Sequence, residues 1–391
     1  MPRHLPQSRS QFRSAVGLAI CLLAGGVLAQ RPLVTVGGLN PDFLDLPQAV
    51  AAALPDSVIL VRPGTYTGFT TNKPLRITLD FTATTGSVQP APGSAYAISV
   101  NGLPSGAEFI LLGRGATVAP GIVGAIRVAN TVGSVIVEGI TVLSGTTRSA
   151  LEVQNTSTVV VQRCSLAGTP ALQASWTSLA LNESVCTSPG GVGAVGYNSL
   201  LDFVRTSFSG YRLPGLRVYD CNVRLASNGS SSIGVTGNPV LPVSAFEALN
   251  SIAQWDQNTF VMNPAAGAPA FANFGALVLA NEVPVLVTSS APLGGTATMR
   301  MTISGTPLPG LVAMGRLAQP PSVIGITGIY LNTLLVPTIL TLGIVDQTGQ
   351  FLQVNVPNNP VLRGEVFCLQ GVTMLPSGLP VLSGPGLWTL L

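Results

Sequence analysis

Ser149 to Leu166 reads SALEVQNTSTVVVQRCSL, two short strands joined through a polar corner. In ALEV, Leu151 and Val153 fall on one side with Glu152 between them; after Gln154-Asn155-Thr156 the alternation restarts at Val159 and Val161. A second break at Arg163 precedes Cys164 and Leu166, which resume the pattern. A period of two marks a strand, and breaks this frequent are incompatible with an amphipathic helix.

The same signature recurs on both sides of this stretch. The motif Ala-apolar-x-Val, or a close variant, centres on Ile98, Ile126, Leu151, Leu172, Ala194 and Leu216. Each copy is followed by a second strand, starting at Phe109, Val135, Val159, Leu179, Leu201 and Val223. Short strands that recur at a near-constant interval of roughly 20–30 residues describe a coil of parallel strands, in which each turn buries its inward row against the next. The corner after the first strand carries Asn101, Asn130, Asn155 and Asn198, with Ser175 and Asp220 in the remaining coils, a pattern suited to side-chain amides stacked along the axis.

Upstream, LPQAVAAALPDSVILVRPGTYTGF (Leu46 to Phe69) places an apolar run before a Pro-Gly turn and a single tyrosine. With this opening and the repeat, the sequence resembles secreted right-handed parallel β-helix proteins of the pectin-lyase-like type, over about Val34 to Ala226. The resemblance implies a short helix at about Pro47 to Leu54 covering the first coil, and VILVRPGTY as the first wall and corner. In the enzymes of that family, pectate lyases and polygalacturonases, the site lies on one outward sheet face lined with Asp, Arg or Lys.

By register, the equivalent outward row here is Thr141, Ser165, Val185 and Ser207. These side chains can hydrogen-bond sugar hydroxyls, yet they supply neither a paired acid and base for glycoside cleavage nor carboxylates for calcium. We therefore expect a ligand-binding set of Thr141, Ser165, Ser207, Tyr211 and Arg212, with no catalytic, cofactor or metal residue. LDFV at Leu201 to Val204 partly matches a pectinesterase motif, but Val204-Arg205 departs from it, and Asp202 reads as an ordinary aspartate.

Stacking also makes neighbours of charges. Arg127 and Glu152 share one outward slot, and Arg163, Glu183 and Arg205 another, so both groups read as axial ion pairs. Cys164 and Cys186 are one coil apart and two positions out of step, about 8 Å between Cα atoms, too far for a disulfide. A further outward row, Ile110, Ile136, Val160 and Ala180, is apolar, and a solvated face is not; a loop, the second domain or a partner should cover it.

The ends of the chain are different in texture. Arg3, His4, Arg9 and Arg13 precede AVGLAICLLAGGVLA, the form of a secretory signal cleaved after Ala29. Cleavage removes three arginines and the single histidine, leaving 15 basic against 15 acidic residues. Without imidazole, a Ser-His-Asp triad and a His-ligated zinc are excluded, and a neutral chain with one lysine, Lys73, has no electrostatic footprint for nucleic acid. The abundance of glycine (44) and proline (31) and the 47% apolar content favour a turn-rich all-β fold over helices or disorder.

After Ala226 the repeat fades. Ser244-x-x-Glu247 fits a capping box, and NPAAGAPAFANF is composed like a linker. From about residue 283, β-branched runs alternate with Gly and Pro, as in ATMRMTISG and VFCLQGVTM, which suggests a small β-sandwich. This part resembles a C-terminal module that recurs in large bacterial secreted proteins. VIGITGIYLNTLLVPTILTLGIV, Val323 to Val345, is long enough and uncharged enough for a membrane helix, but its Pro337, Asn332, threonines and glycines favour strands, and no span is expected in the mature chain.

The expected organisation is a signal peptide (1–29), a parallel β-helix with a helical cap (30–243), a short helix and linker (244–282) and a β-sandwich (283–391). The expected role is non-catalytic: surface display or extracellular binding, with polysaccharide or a cell-surface component as partner. A polysaccharide lyase or glycoside hydrolase of the same fold is the alternative, and a pure structural spacer a third.

Overall fold

Each inward residue of the repeat meets its counterpart one coil away. Ile98, Ile126, Leu151, Leu172, Ala194 and Leu216 are partners in consecutive parallel pairings. So are Phe109, Val135, Val159, Leu179, Leu201 and Val223. The computed structural model describes residues 31–390 apart from 82–85, 144, 146, 228–230, 238, 257–259, 281–282, 325–326 and 332–337. The expected signal segment, 1–29, lies outside the described residues.

The chain is all-β: a parallel β-helix followed by antiparallel sheets. A complete coil contributes to three faces. Face A holds the first strands of the repeat, such as Ala194–Tyr197 and Leu216–Tyr219; face B the second, such as Leu200–Val204 and Asn222–Ala226; face C the third, such as Ser207–Tyr211. Between them runs one continuous apolar core from Val36 to Trp255.

Helix α1, Leu46–Ala52, closes the first coil with Leu46, Ala49 and Val50 buried. Asp45 caps it, accepting from the Leu46 N–H and also from Thr67 N–H of the coil beneath, at 2.8 Å each. The tyrosine of PGTY is the lock of the first corner. Tyr66 Oη donates to the Arg62 carbonyl at 2.8 Å, and its ring lies so close to Gly37 (φ 68°) that a Cβ there would overlap the phenol oxygen.

The corner from face A to face B turns through one left-handed residue per coil: Asn130, Asn155, Asn198, Asp220 and Asn250, at φ between 47° and 52°. Asn and Asp tolerate this region because their side chains bond locally. The amides stack as expected, Asn130 Nδ2 to Asn101 Oδ1 at 3.1 Å and Asn155 Nδ2 to Asn130 Oδ1 at 3.3 Å. Two positions differ: Asn101 pairs with Ala129 on the strand and Gly102 (φ 75°) occupies the corner, while Ser175 pairs with Gln154 and Tyr197 on the strand and Trp176 (φ 55°) occupies the corner. The ladder is therefore interrupted by an indole.

The described residues of 244–282, expected to be helix and linker, instead continue the β-helix. Phe246–Leu249 and Phe271–Phe274 extend face A, Ile252–Trp255 and Leu277–Ala280 extend face B, and Phe260–Asn263 extends face C. The reason is in the sequence: AFEAL and AFANF keep the inward alternation, with Phe246 opposite both Leu216 and Phe271. Glu247, read as the end of a capping box, is the axial partner of Arg217 at 2.7 Å.

From Val285 onward, strands Val285–Thr288, Thr296–Thr302 and Gln350–Asn355 form one antiparallel sheet, and Thr338–Val345, Leu308–Gly315, Val366–Met374 and Pro380–Thr389 another. Their shared core includes Met299, Val312, Met314, Phe367 and Trp388. The segment read as strands over a membrane helix contributes Leu317–Ile324, Thr327–Leu331 and Thr338–Val345. No helix among the described residues is long and apolar enough to cross a membrane.

This second unit covers face B. The apolar outward row Ile110, Ile136, Val160 and Ala180 is buried beneath Leu317, Tyr330, Leu331, Val366, Cys368 and Leu387. Polar contacts frame it: Gln162 donates to Thr288 Oγ1 at 3.1 Å and accepts from Leu387 N–H at 3.1 Å, and Asn182 donates to the Pro385 carbonyl. Leu166, not Cys164, lies opposite Cys186, and all four described cysteines are buried free thiols. Burial pushes the Cys164 thiol up to about 12 and that of Cys221 to about 11, so neither is a nucleophile.

Candidate functional site

With face B covered, faces A and C are the lateral surfaces open to a ligand. Face C carries the expected row. Thr141 pairs with Ser165, Ser165 with Val185 and Val185 with Ser207. The row extends toward α1 through Thr117, Ser87 and Thr65, giving outward hydroxyls at about 4.8 Å per coil. The hydroxyls of Thr117, Thr141 and Ser165 make no hydrogen bond among the described residues and stand ready for an outside partner. A parallel row of Leu143, Ala167, Thr187, Ser209 and Gly234 runs beside it, small apart from the exposed Leu143.

Tyr211 and Arg212 stand at the margin of this row, not within it. Ser207, Ser209 and Tyr211 alternate onto the same outward side of one strand, which ends at Tyr211. The Arg212 guanidinium lies 5.2 Å from the centre of the Tyr211 ring, a cation–π contact that fixes both at the edge of the sheet. At the other end, near α1, a groove of about 350 Å³ opens between Thr67, Thr70, Asn72, Ser94 and Tyr96. Its lining offers hydroxyls, an amide and two aromatics, Phe69 and Tyr96; the ammonium of Lys73 is turned to the carbonyls of Val50, Ala51 and Ala53 that end α1.

The carboxylates that lie beside arginines sit elsewhere. On face A, Glu152 is bound by the Tyr96 hydroxyl at 2.5 Å and lies 3.7 Å from Arg127, so the expected axial pair exists with a tyrosine added. Burial first, then Glu152, pushes the Tyr96 phenol up. At the corner from B to C, Arg163 bridges Glu138 and Glu183, and burial raises Glu183 against the pull of Arg163 and Arg205. Asp202 is no surface aspartate. It is 2% exposed, ion-paired to Arg224, and raised by burial with Arg224 opposing.

The densest cluster lies under the second unit, where Glu365 meets Arg31 at 2.8 Å, Arg316 at 2.7 Å and Arg76 at 3.8 Å. Burial alone would lift Glu365; Arg76, Arg316 and Arg31 together outweigh it and hold the carboxyl below the usual range. A depressed acid contributes stability above its unfolded pKa, about 4.3 for Glu, and loses it as pH falls through its own lower value. The stability gap between wild type and Glu365→Gln should accordingly be widest above that pH and narrow on acidification. Denaturant titrations of both proteins from near neutral to acid pH measure this, and a gap independent of pH would contradict it.

Trp176 is the surface residue that the repeat alignment missed. Its indole is 61% exposed, at a corner where bulky residues are strained. Next to it on face A, Tyr197 and Tyr219 stack with ring centroids 5.0 Å apart. Shifting the corner alignment by a single position, so that Trp176 takes the asparagine slot, would have found it. No protein-family model matches the chain, and no curated protein matches its sequence.

Proposed function

We propose that this is an exported, non-catalytic binding protein, allied to the pectin-lyase-like β-helices, that holds a neutral polysaccharide along face C. The observation that carries the reading is the coil-to-coil hydroxyl row, whose central members Thr117, Thr141 and Ser165 have no partner among the described residues. Three adjacent unengaged hydroxyls beside the exposed apolar side chains of Val185 and Leu143 suit the hydroxyls and apolar faces of a sugar chain and give little purchase on developing charge. The position of the carboxylates supports the same reading, since those beside arginines serve packing between coils or beneath the second unit.

The test is a glycan-binding and degradation screen on the chain beginning at Gln30. Weak binding to neutral glucans or related chains is expected. The triple variant Thr141→Ala, Ser165→Ala, Ser207→Ala should bind at least about tenfold less tightly, because each lost neutral hydrogen bond is worth about 0.5–1.5 kcal/mol. Calcium-dependent release of unsaturated products, abolished by Arg205→Ala, would establish the lyase alternative instead.

Export is part of the proposal and rests on the basic leader, the short apolar core and the small residues before Gln30. Intact-mass analysis of the released protein should give a chain starting at Gln30 or within about two residues of it. A full-length mass in the membrane fraction would sink the export reading without touching face C.

A further inference from the structure

The two ends of the β-helix are finished differently. At the first coil, α1 lies across the core, pinned by three bonds from Lys73 Nζ to its final carbonyls. The last coil has no such cover among the described residues. Its strands, Phe260–Asn263, Phe271–Phe274 and Leu277–Ala280, pair on one side with the preceding coil and on the other with no described strand. Phe274 and Leu277 are 54% and 57% exposed, while Phe271 and Val278 are only half-covered members of the interior stack.

The chain that follows leaves this end open. Val283 and Val285 already pack on Val204 and Ala226, so the connection turns back along face B instead of crossing the coil. Nor is the edge protected chemically. Exposed strand edges are ordinarily blunted by lysine, proline or charge, and FVMN, FANF and LVLA contain none of these; the sequence from 257 to 281 carries no charged side chain at all.

We propose that this end docks against the same end of a second copy of the chain, closing a two-fold dimer. The occupant must present free strand edges and an uncharged, apolar rim, because any charge brought here would be desolvated against a surface with none to pair it. The molecule's own last coil meets that description. Its first coil does not, since α1 blocks it, so head-to-tail growth into a filament is closed off and only the isologous contact remains. A two-fold axis across the end sets the strands of one copy antiparallel to those of the other, and their unpaired N–H and C=O groups satisfy each other. Each copy contributes three short strands, fewer than the roughly 20–30 residues per side of a standard interface, so the dimer forms at micromolar concentration.

Sedimentation velocity on the chain from Gln30, from about 1 to about 200 µM, reads this directly. Wild type should pass from monomer to dimer across the range, with amides of residues 271–278 gaining protection from hydrogen exchange as it does. Phe274→Lys with Leu277→Lys, both at exposed positions, should remain monomeric with an unchanged circular dichroism spectrum. Leu143→Lys, equally exposed on face C, should dimerise like wild type. A monomer at every concentration, assemblies larger than a dimer, or a dimer indifferent to the two end lysines would each overturn the proposal.

Discussion

Asp202→Ala should destabilise the folded chain by about 3–5 kcal/mol, the cost of leaving one member of a buried ion pair without the other. Arg224 is 1% exposed and donates to both oxygens of Asp202 and to the Leu382 carbonyl of the C-terminal unit. Without the carboxylate, a guanidinium stays buried between two units with a single carbonyl partner. Replacing both residues by apolar ones of similar volume, Asp202→Leu with Arg224→Met, should recover most of the loss, since the pair's own desolvation disappears with it. Denaturant unfolding of the three variants measures this. A loss below about 1 kcal/mol for Asp202→Ala would mean that water reaches the pair, as it does at surface ion pairs.

Leu151→Ala should cost about 2–5 kcal/mol, by removing packing from the centre of the β-helix and leaving a cavity that rigid coils above and below cannot close. Leu151 is fully buried between Ile126 and Leu172, each held by its own ladder. Thr141→Ala, on open face C, should stay within about 0.5 kcal/mol of wild type. Equal losses at the two sites would mean that the inward and outward rows had been exchanged.

The coil-to-coil register was legible because parallel stacking turns a constant repeat into a constant contact. Leu151 faces Leu172 because the two hold the same place in successive copies of the repeat. Legibility failed where the loop between faces lengthened. The chain from Leu216 to Phe246 is longer than any earlier step of the repeat, and within it Ser244-x-x-Glu247 looked like the start of a helix, although Phe246 and Ala248 preserve the inward alternation. The row Ile110 to Ala180 announced a cover without naming it, because what covers it comes from strands far later in the chain, from Leu317 onward. The burial of Asp202 was hidden for the same reason; its neighbours in sequence give no hint of Leu382 and Gly384 above it. The hydroxyl row was readable, whereas the placing of Tyr211 and Arg212 at its margin depends on where the strand ends.

The covering of face B by strands from Leu317 to the last has a consequence for the order of events during synthesis. Glu138 waits for Thr389, and Asn182 for Pro385, so contacts that finish the early coils are made by the final stretch of the chain. Loop closure over such distances is slow, and the coils can stack locally long before the C-terminal sheets exist. Until then Ile110, Ile136, Val160 and Ala180 form a water-exposed stripe, as sticky as any folding intermediate's. A ribosome stalled or a protease cutting near residue 282 would leave this stripe open to water for good, so the coils already stacked depend on the C-terminal unit to keep them from sticking to one another.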